Sequence, residues 1–353
     1  MAYSTILKPT DYFDTKLYTG TGSSNVQTGL GFQPDWVWLK NRSSSSNHFV
    51  NDVLRGITKE LRPNLNNSEA DDNQLLTSLN SDGFTLGTSG SANTNGDTYA
   101  SWNWKANGAG SANTDGDINS TVSANTTSGF SIVNYTGTLS GSGNPTVGHG
   151  LGVAPAAIII KSASNGENWG VQHTSLPANY LLQLNTTSAQ INSASQGTLT
   201  APTSSVFTVN YSGEWGNSGQ NYIAYCFANV QGYSKFGSYV GNGNADGPFL
   251  YCGFKPAFII LKNTIDGAKN WEMLDNKRPS TGQNPADDLL FPDTVDAEST
   301  SQTDRLVDFV SNGVKIRGNS AQMNASGQKF IFMAFAETPF VANSGQSIPT
   351  TAR

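Results

Sequence analysis

Apolar residues along this chain come in short blocks, and the longest blocks recur in one setting. They read GFQPDWVWLK to Lys40, GVAPAAIIIK to Lys161 and GFKPAFIILK to Lys262. Each run is too short and too rich in β-branched or aromatic residues for a helix, so each predicts a strand buried on both faces. Proline fixes φ and lacks a backbone donor, which suits the first residue of a strand, and the glycine before it permits the turn in. The recurring skeleton is Gly31, Phe32, Pro34 and Lys40; Gly152, Pro155 and Lys161; Gly253, Phe254, Pro256 and Lys262.

Three further anchors recur in the same order. Tyr-Thr/Val-Gly precedes each block, at Tyr18, Tyr135 and Tyr239. An aromatic follows each lysine at Phe49, Trp169 and Trp271. A terminal strand closes each unit, YASWNW, YIAYCF and FIFMAF, with large side chains at positions one, four and six. A shorter strand precedes each one, SDGFTLG, SSVFTVN and SNGVKIR. Four ordered coincidences in three places define a repeat. With frequent turns between short strands, the expected fold is all-β: three tandem β-sandwich domains of jelly-roll or lectin-like type.

The units span 14–106, 130–230 and 236–338. Residues 1–13 and 339–353 form terminal arms, frayed or docked on a partner subunit. Residues 107–129 are a polar linker, expected to be extended or loosely ordered. NQLLTSLN and DRLVDFVS each allow a short helical turn. The first and third units match best: Asp52 and Arg55 parallel Asp275 and Arg278, while the second unit has His173 and no matching arginine. These pairs read as ion pairs tying down a loop, worth little if exposed.

Composition supports an ordered chain. Charged residues make up only 13% and aromatics reach 10%, with seven tryptophans, too many for a disordered tract. A net charge of −6 and a pI near 5.0 argue against a nucleic-acid partner. The N-terminus lacks the pattern of a signal peptide, and no apolar run approaches the roughly 18 residues of a membrane span, so membrane insertion is not expected and synthesis in a cytoplasm is. Cys226 and Cys252 are expected to be buried free thiols.

Candidate chemistry is sparse. His48, His149 and His173 have no ligands at metal spacing and read as loop residues. ANTNGD (92–97) and ANTDGD (112–117) resemble half a calcium loop, but Asn-Gly and Asp-Gly are also common turn dipeptides. The pairs Asp71-Asp72 and Asp287-Asp288 read as solvated loop acids rather than a glycosidase pair. No nucleophile elbow, P-loop or dinucleotide fingerprint occurs, so neither enzyme activity nor a cofactor is expected. Trp215, between glycines in SGEWGNSGQ, is the candidate contact for a glycan or partner; the alternative is a core residue folded under its turn.

The phrases DYFDTKLYTGTGSSNVQTGLGFQPDWVWLKNRS, VLRGITKELRPN and SDGFTLGTSG…GDTYASWNWKA resemble a domain found in tail-fibre-like and other virion proteins of marine bacteriophages. The resemblance covers 11–106 most strongly, 232–353 less so and the middle unit least. It implies a virion structural or host-recognition role and brings no catalytic residues. The expected partners are other virion subunits and a host surface glycan, in a homo-oligomer expected to be cyclic, with a trimer as the expected form. A capsid decoration or head-fibre protein, or a carbohydrate-binding module, is the alternative.

Overall fold

The computed structural model describes residues 4–141, 143–210, 214–279 and 284–339, and it is nearly all β. In the first segment the strands are β1 (Phe13–Thr19), β2 (Asn25–Thr28), β3 (Trp36–Asn41), β4 (His48–Asp52), β5 (Lys59–Glu60), β6 (Ala70–Asp71), β7 (Leu76–Asn80), β8 (Gly83–Leu86) and β9 (Thr98–Trp104). They form an antiparallel sheet of order β1-β9-β3-β4, a second of order β2-β8-β7, and the small pair β5-β6.

The second segment contains β10 (Ser111–Asn113), β11 (Ser120–Asn125), β12 (Phe130–Thr136), β13 (Thr146–Gly148), β14 (Ala157–Ser162), β15 (Gly170–His173), β16 (Tyr180–Gln183), β17 (Ile191–Asn192), β18 (Val206–Thr208) and β19 (Asn221–Phe227). Its large sheet runs β10-β11-β12-β19-β14-β15-β16-β17, and β13 pairs with β18. The third segment holds β20 (Ser234–Val240), β21 (Phe249–Tyr251), β22 (Phe254–Asn263), β23 (Trp271–Asp275), β24 (Val307–Val310), β25 (Gly313–Ile316) and β26 (Lys329–Pro339). Its sheets run β20-β26-β22-β23 and β21-β25-β24. The order first-last-third-fourth therefore occurs three times: β1-β9-β3-β4, β12-β19-β14-β15 and β20-β26-β22-β23.

Spacing within the terminal strand explains how these sheets are used. Positions one and four of a strand lie on opposite faces, and four and six on the same face. Tyr99, Tyr222 and Phe330 accordingly point into three separate cores, each lying between the two sheets of its own segment. Trp102 and Trp104, Tyr225 and Phe227, and Met333 and Phe335 point the other way, into one core shared by all three segments. The lysine-ended strands divide likewise: Trp36, Ile159 and Phe258 face the shared core, and Leu39, Ile158 and Ile259 face the separate ones. Every residue of β3, β14 and β22 is buried, as two-sided packing requires.

The Tyr-x-Gly motif is a local lock repeated three times. Tyr18 stacks on Tyr99, Tyr135 on Tyr222 and Tyr239 on Phe330, with ring centroids 5.0, 5.3 and 4.9 Å apart. Each phenol donates to a backbone carbonyl: Ala92 at 2.8 Å, Trp215 at 2.6 Å and Met323 at 2.6 Å. Glycine follows two residues later because a Cβ there would sit 2.1 Å from Thr94 O, 2.3 Å from Asn217 O or 2.2 Å from Ala325 O. Gly20→Ala, Gly137→Ala and Gly241→Ala should each cost about 1–3 kcal/mol by overpacking. Gly141→Ala, with nothing within 4 Å of its Cβ, should be neutral in the same urea titrations.

Several expectations are corrected. Residues 107–129, expected to be loose, supply β10 and β11, because Val122 and Ser123 find buried positions beside β12. The N-terminal arm packs against its own chain: Ile6 and Phe13 lie in the shared core, and Ser4 Oγ donates to Gln231 O at 2.8 Å. In the C-terminal arm Pro339 pairs with Phe254, and 340–353 lie outside the described residues. The two expected helical turns are β7 and β24, because Leu76 and Val307 each point into a sandwich core. Among the described residues the α-helical turns are α1 (Gly90–Asn93) and α2 (Ala321–Asn324), and single 3-10 turns lie at Pro9–Asp11 and Ala194–Gln196. Cys226 and Cys252 are buried free thiols, and burial pushes the Cys252 thiol up to about 12.

Candidate functional site

The shared core is organised around an axis. Trp104, Phe227 and Phe335 occupy the same position in their three strands, and their rings form a triangle with centroids 6.4, 5.5 and 5.7 Å apart. Phe13 packs on Phe335 at 5.2 Å, and Trp36 stacks on Tyr225 at 4.3 Å. The three large sheets thus pack together through their apolar faces, like three staves around a centre.

Polar bonds at the rim close these contacts into a ring. The residue two past each lysine accepts a backbone hydrogen bond from a neighbouring segment: Ala163 O from Glu69 N, Thr264 O from Gln190 N, and Arg42 O from Glu298 N, at 2.9, 3.0 and 2.8 Å. Segment one therefore meets two, two meets three, and three returns to one. The repeated lysines lie at these joints. Lys40 Nζ donates to Ser46 O at 2.7 Å and to Val295 O of segment three at 3.1 Å. Lys262 Nζ donates to Thr187 O of segment two at 3.0 Å and also to Lys269 O. Lys161 Nζ donates to Ser162 O and Asn165 O at 2.6 and 2.9 Å. Burial lowers all three ammonium groups, Lys161 to about 7 and Lys40 to about 8.

The Asp-Arg pairs are ion pairs that tie down the following turn, as expected, and they are buried and belong to the same ring. Asp52 Oδ1 accepts from Leu54 N and Arg55 N, and Oδ2 from Arg55 Nε at 2.6 Å and from Tyr225 OH of segment two at 2.8 Å. Asp275 repeats the arrangement with Lys277 N, Arg278 N, Arg278 Nε at 2.6 Å and Trp102 Nε1 of segment one at 3.0 Å. Tyr225 and Trp102 are position four of their terminal strands. The third joint would pair Met333 with His173. Methionine cannot donate, and the acid and its arginine are both replaced there, by His173 and Leu176. Donor and acceptor have been lost together. In their place His173 Nε2 bonds Phe332 O at 3.2 Å, across the joint.

All three histidines are buried: His48 and His173 lie in β4 and β15, contrary to the loop expectation, and His149 lies in the loop after β13. His173 Nδ1 accepts from Ser175 N at 3.1 Å, so the neutral ring with its proton on Nε2 satisfies both partners. Burial holds its pKa near 4. Between pH 6.5 and about 4 the unfolded chain binds a proton that the folded chain refuses, so stability falls as pH drops through that window. The loss from this group should reach about 3 kcal/mol. His48 and His149 are lowered in the same direction, also chiefly by burial. His173→Gln keeps one donor and one acceptor, and should flatten the acid limb of a urea-stability profile by its share.

Beside His173 lies a cleft of ≈ 270 Å³ walled by Pro155, Leu176, Pro177, Leu199, Pro202 and Tyr180. Among the described residues its lining carries no carboxylate or lysine. Trp215 does not reach a surface: it is 0% exposed in the second sandwich core, against Gly170, where a Cβ would lie 2.8 Å from its ring. Asp71 pairs with Lys59, and Asp72 accepts from Gln74 N and Ser89 Oγ. Asn93 Nδ2 donates to Gly87 O and to Ser23 O of the loop after β1, and Asn113 Nδ2 donates to Asp115. No cluster of three His, Cys, Asp or Glu occurs among the described residues.

The large exposed aromatics among the described residues are Phe249 and Tyr251, which sequence reasoning passed over. The signal was present in FLY, where an inward Leu250 turns both flanking rings outward.

Geometry thus defines an all-β chain in which three like-ordered pairs of sheets close around one aromatic axis. The chain belongs to the family described as a domain of unknown function, DUF7483, whose profile matches residues 8–339, across all three segments. No curated protein and no solved structure matches it.

Proposed function

We propose that this chain is a structural protein of a bacteriophage particle, a tail fibre or receptor-binding component that acts by adhesion rather than catalysis. It is made in the host cytoplasm and carried on the virion. We read its three segments as copies of one sandwich of jelly-roll or lectin-like type. The observation that carries this reading is the closed ring: a core shared by three segments makes one stiff body and leaves the loops and outer sheets for contact. The resemblance of the repeated phrases to virion domains supplies the setting. Cofactors, nucleic acid and membrane insertion have no part in it.

The same ring bears on assembly. Head-to-tail interfaces between separate chains generate a ring where the rotation closes, and three copies at about 120° would close a trimer. Here three segments of one chain close them, so we propose that one chain stands in for a trimer and that homo-oligomers or other virion subunits attach through outer faces. A second reading, capsid decoration or head fibre, is favoured by the near-three-fold axis, which suits a three-fold position on a shell. Immuno-gold labelling of purified particles tests both: gold on tails supports the first, gold on heads the second. Protein found only in lysate and never on particles removes both.

A further inference from the structure

The third segment carries an outward aromatic pair that the fold itself does not require. Phe249 and Tyr251 lie two apart on β21, the edge strand of β21-β25-β24, and are 45% and 57% exposed. Leu250 between them is buried opposite Val314. The sister strands give an internal control. Gln27 opposite Phe84 and Val147 opposite Phe207 hold the place of Leu250. The flanking residues there are the exposed Val26 and Thr28 in segment one, and in segment two the half-buried Thr146, and Gly148, which is buried under the Asn113 side chain. Two of three copies fold without an aromatic ring at these positions. Exposing two rings to water is therefore a local addition in one copy, not a need of the sandwich.

Two further features shape the pair into a platform. The Phe249 ring lies over Gly313, where an added Cβ would meet Leu250 O at 2.1 Å and the ring edge at 2.9 Å; the strand pairing that demands this glycine, as at Gly83, also leaves the ring room to lie against the sheet. Tyr251 also borders a cleft of ≈ 370 Å³ shared with Asn229, Val230, Gln231, Ser234 and Lys235. Amide and ammonium donors thus stand beside an open ring face. Two rings flanked by the Lys315–Asp246 ion pair at 2.6 Å offer far less than the roughly 800 Å² per partner of a stable protein interface. A sugar chain needs only such an aromatic face with a few polar groups at its edge.

We propose that Phe249 and Tyr251 form a carbohydrate-binding platform, with one sugar ring stacked on each and hydroxyls reaching Asn229, Gln231 and Lys235. The inference deepens the adhesion reading and rests on it for the choice of glycan as ligand. The test uses the full chain and three probes, cellotetraose, maltotetraose and chitotetraose, followed by saturation-transfer NMR and calorimetry. At least one probe should bind with a Kd of about 1 mM or tighter. Phe249→Val with Tyr251→Thr, which installs the segment-one residues, should weaken binding by about tenfold or more while leaving the unfolding midpoint unchanged. The single change Trp38→Phe, remote from the platform, should leave binding intact. Absence of binding by all three probes at about 20 mM, or equal binding by the double variant, overturns the proposal. Self-association of the wild type that the double variant abolishes also overturns it, by assigning the patch to a second copy. Sugar binding by a protein absent from particles would remove the virion reading and leave this one standing.

Discussion

Asp52→Ala should destabilise the whole chain by about 3–5 kcal/mol, far beyond a typical surface substitution. Asp52 is buried and accepts four hydrogen bonds, one of them from another segment. Its removal leaves the Arg55 guanidinium, itself buried, with Glu69 at 3.6 Å as the nearest acid, and strands the Tyr225 hydroxyl. Breaking a buried pair from one side is costly because the remaining charge cannot regain water. Tyr225→Phe removes a single bond and should cost only about 1 kcal/mol. The two midpoints in urea, at unchanged slope, measure the difference. Equal and small effects would mean that the Asp-Arg pair is no part of the joint.

The axis carries the second large effect. Trp104→Ala should cost about 3–5 kcal/mol, because its ring meets Phe227, Phe335, Phe258, Phe13 and Trp36, drawn from all three segments. Unfolding should remain one transition in both proteins, since no segment buries its axial face alone. The excised segment 14–106 makes the same point from the other side. It would expose Trp36, Trp38, Trp102 and Trp104 together, a patch that should drive self-association and binding of an apolar dye. A monomeric, well-folded 14–106 fragment, or three separate transitions in the full chain, would contradict the shared core.

Much of the strand pattern was legible because it is local. The buried strands after Pro34, Pro155 and Pro256 declare themselves by run length and β-branching, and the free thiols by their apolar surroundings. The one-four-six spacing already encoded burial on both faces, since odd and even steps point apart. What it could not say is which apolar face meets which. That depends on three surfaces fitting at once, and no period in the sequence reports it. Trp215 misled for a specific reason: its flanking glycines suggest an exposed tip, yet the glycine that matters is Gly170, distant in sequence, which vacates the space its ring fills. The 107–129 stretch misled through composition, because Ser and Thr serve well enough on an edge beside an already formed sheet. His173 stood out in the sequence as a departure from the repeat, but only the fold places it at one joint with Met333.

The joints also differ in how the chain itself connects them. Segments two and three are neighbours along the backbone, linked by the few residues before β20, and their joint lacks the Asp-Arg pair. Segments one and three have no direct covalent link, and their joint is the most heavily tied. Arg42 pairs with Glu298 at 2.6 Å, Glu298 with Arg278 at 2.8 Å, and Lys40 and Trp102 add their bonds. A tether keeps two surfaces at high effective concentration without any contact energy of its own. Ionic fastening is concentrated at the clasp of the circlet, where the polypeptide offers no hinge to hold the ends together.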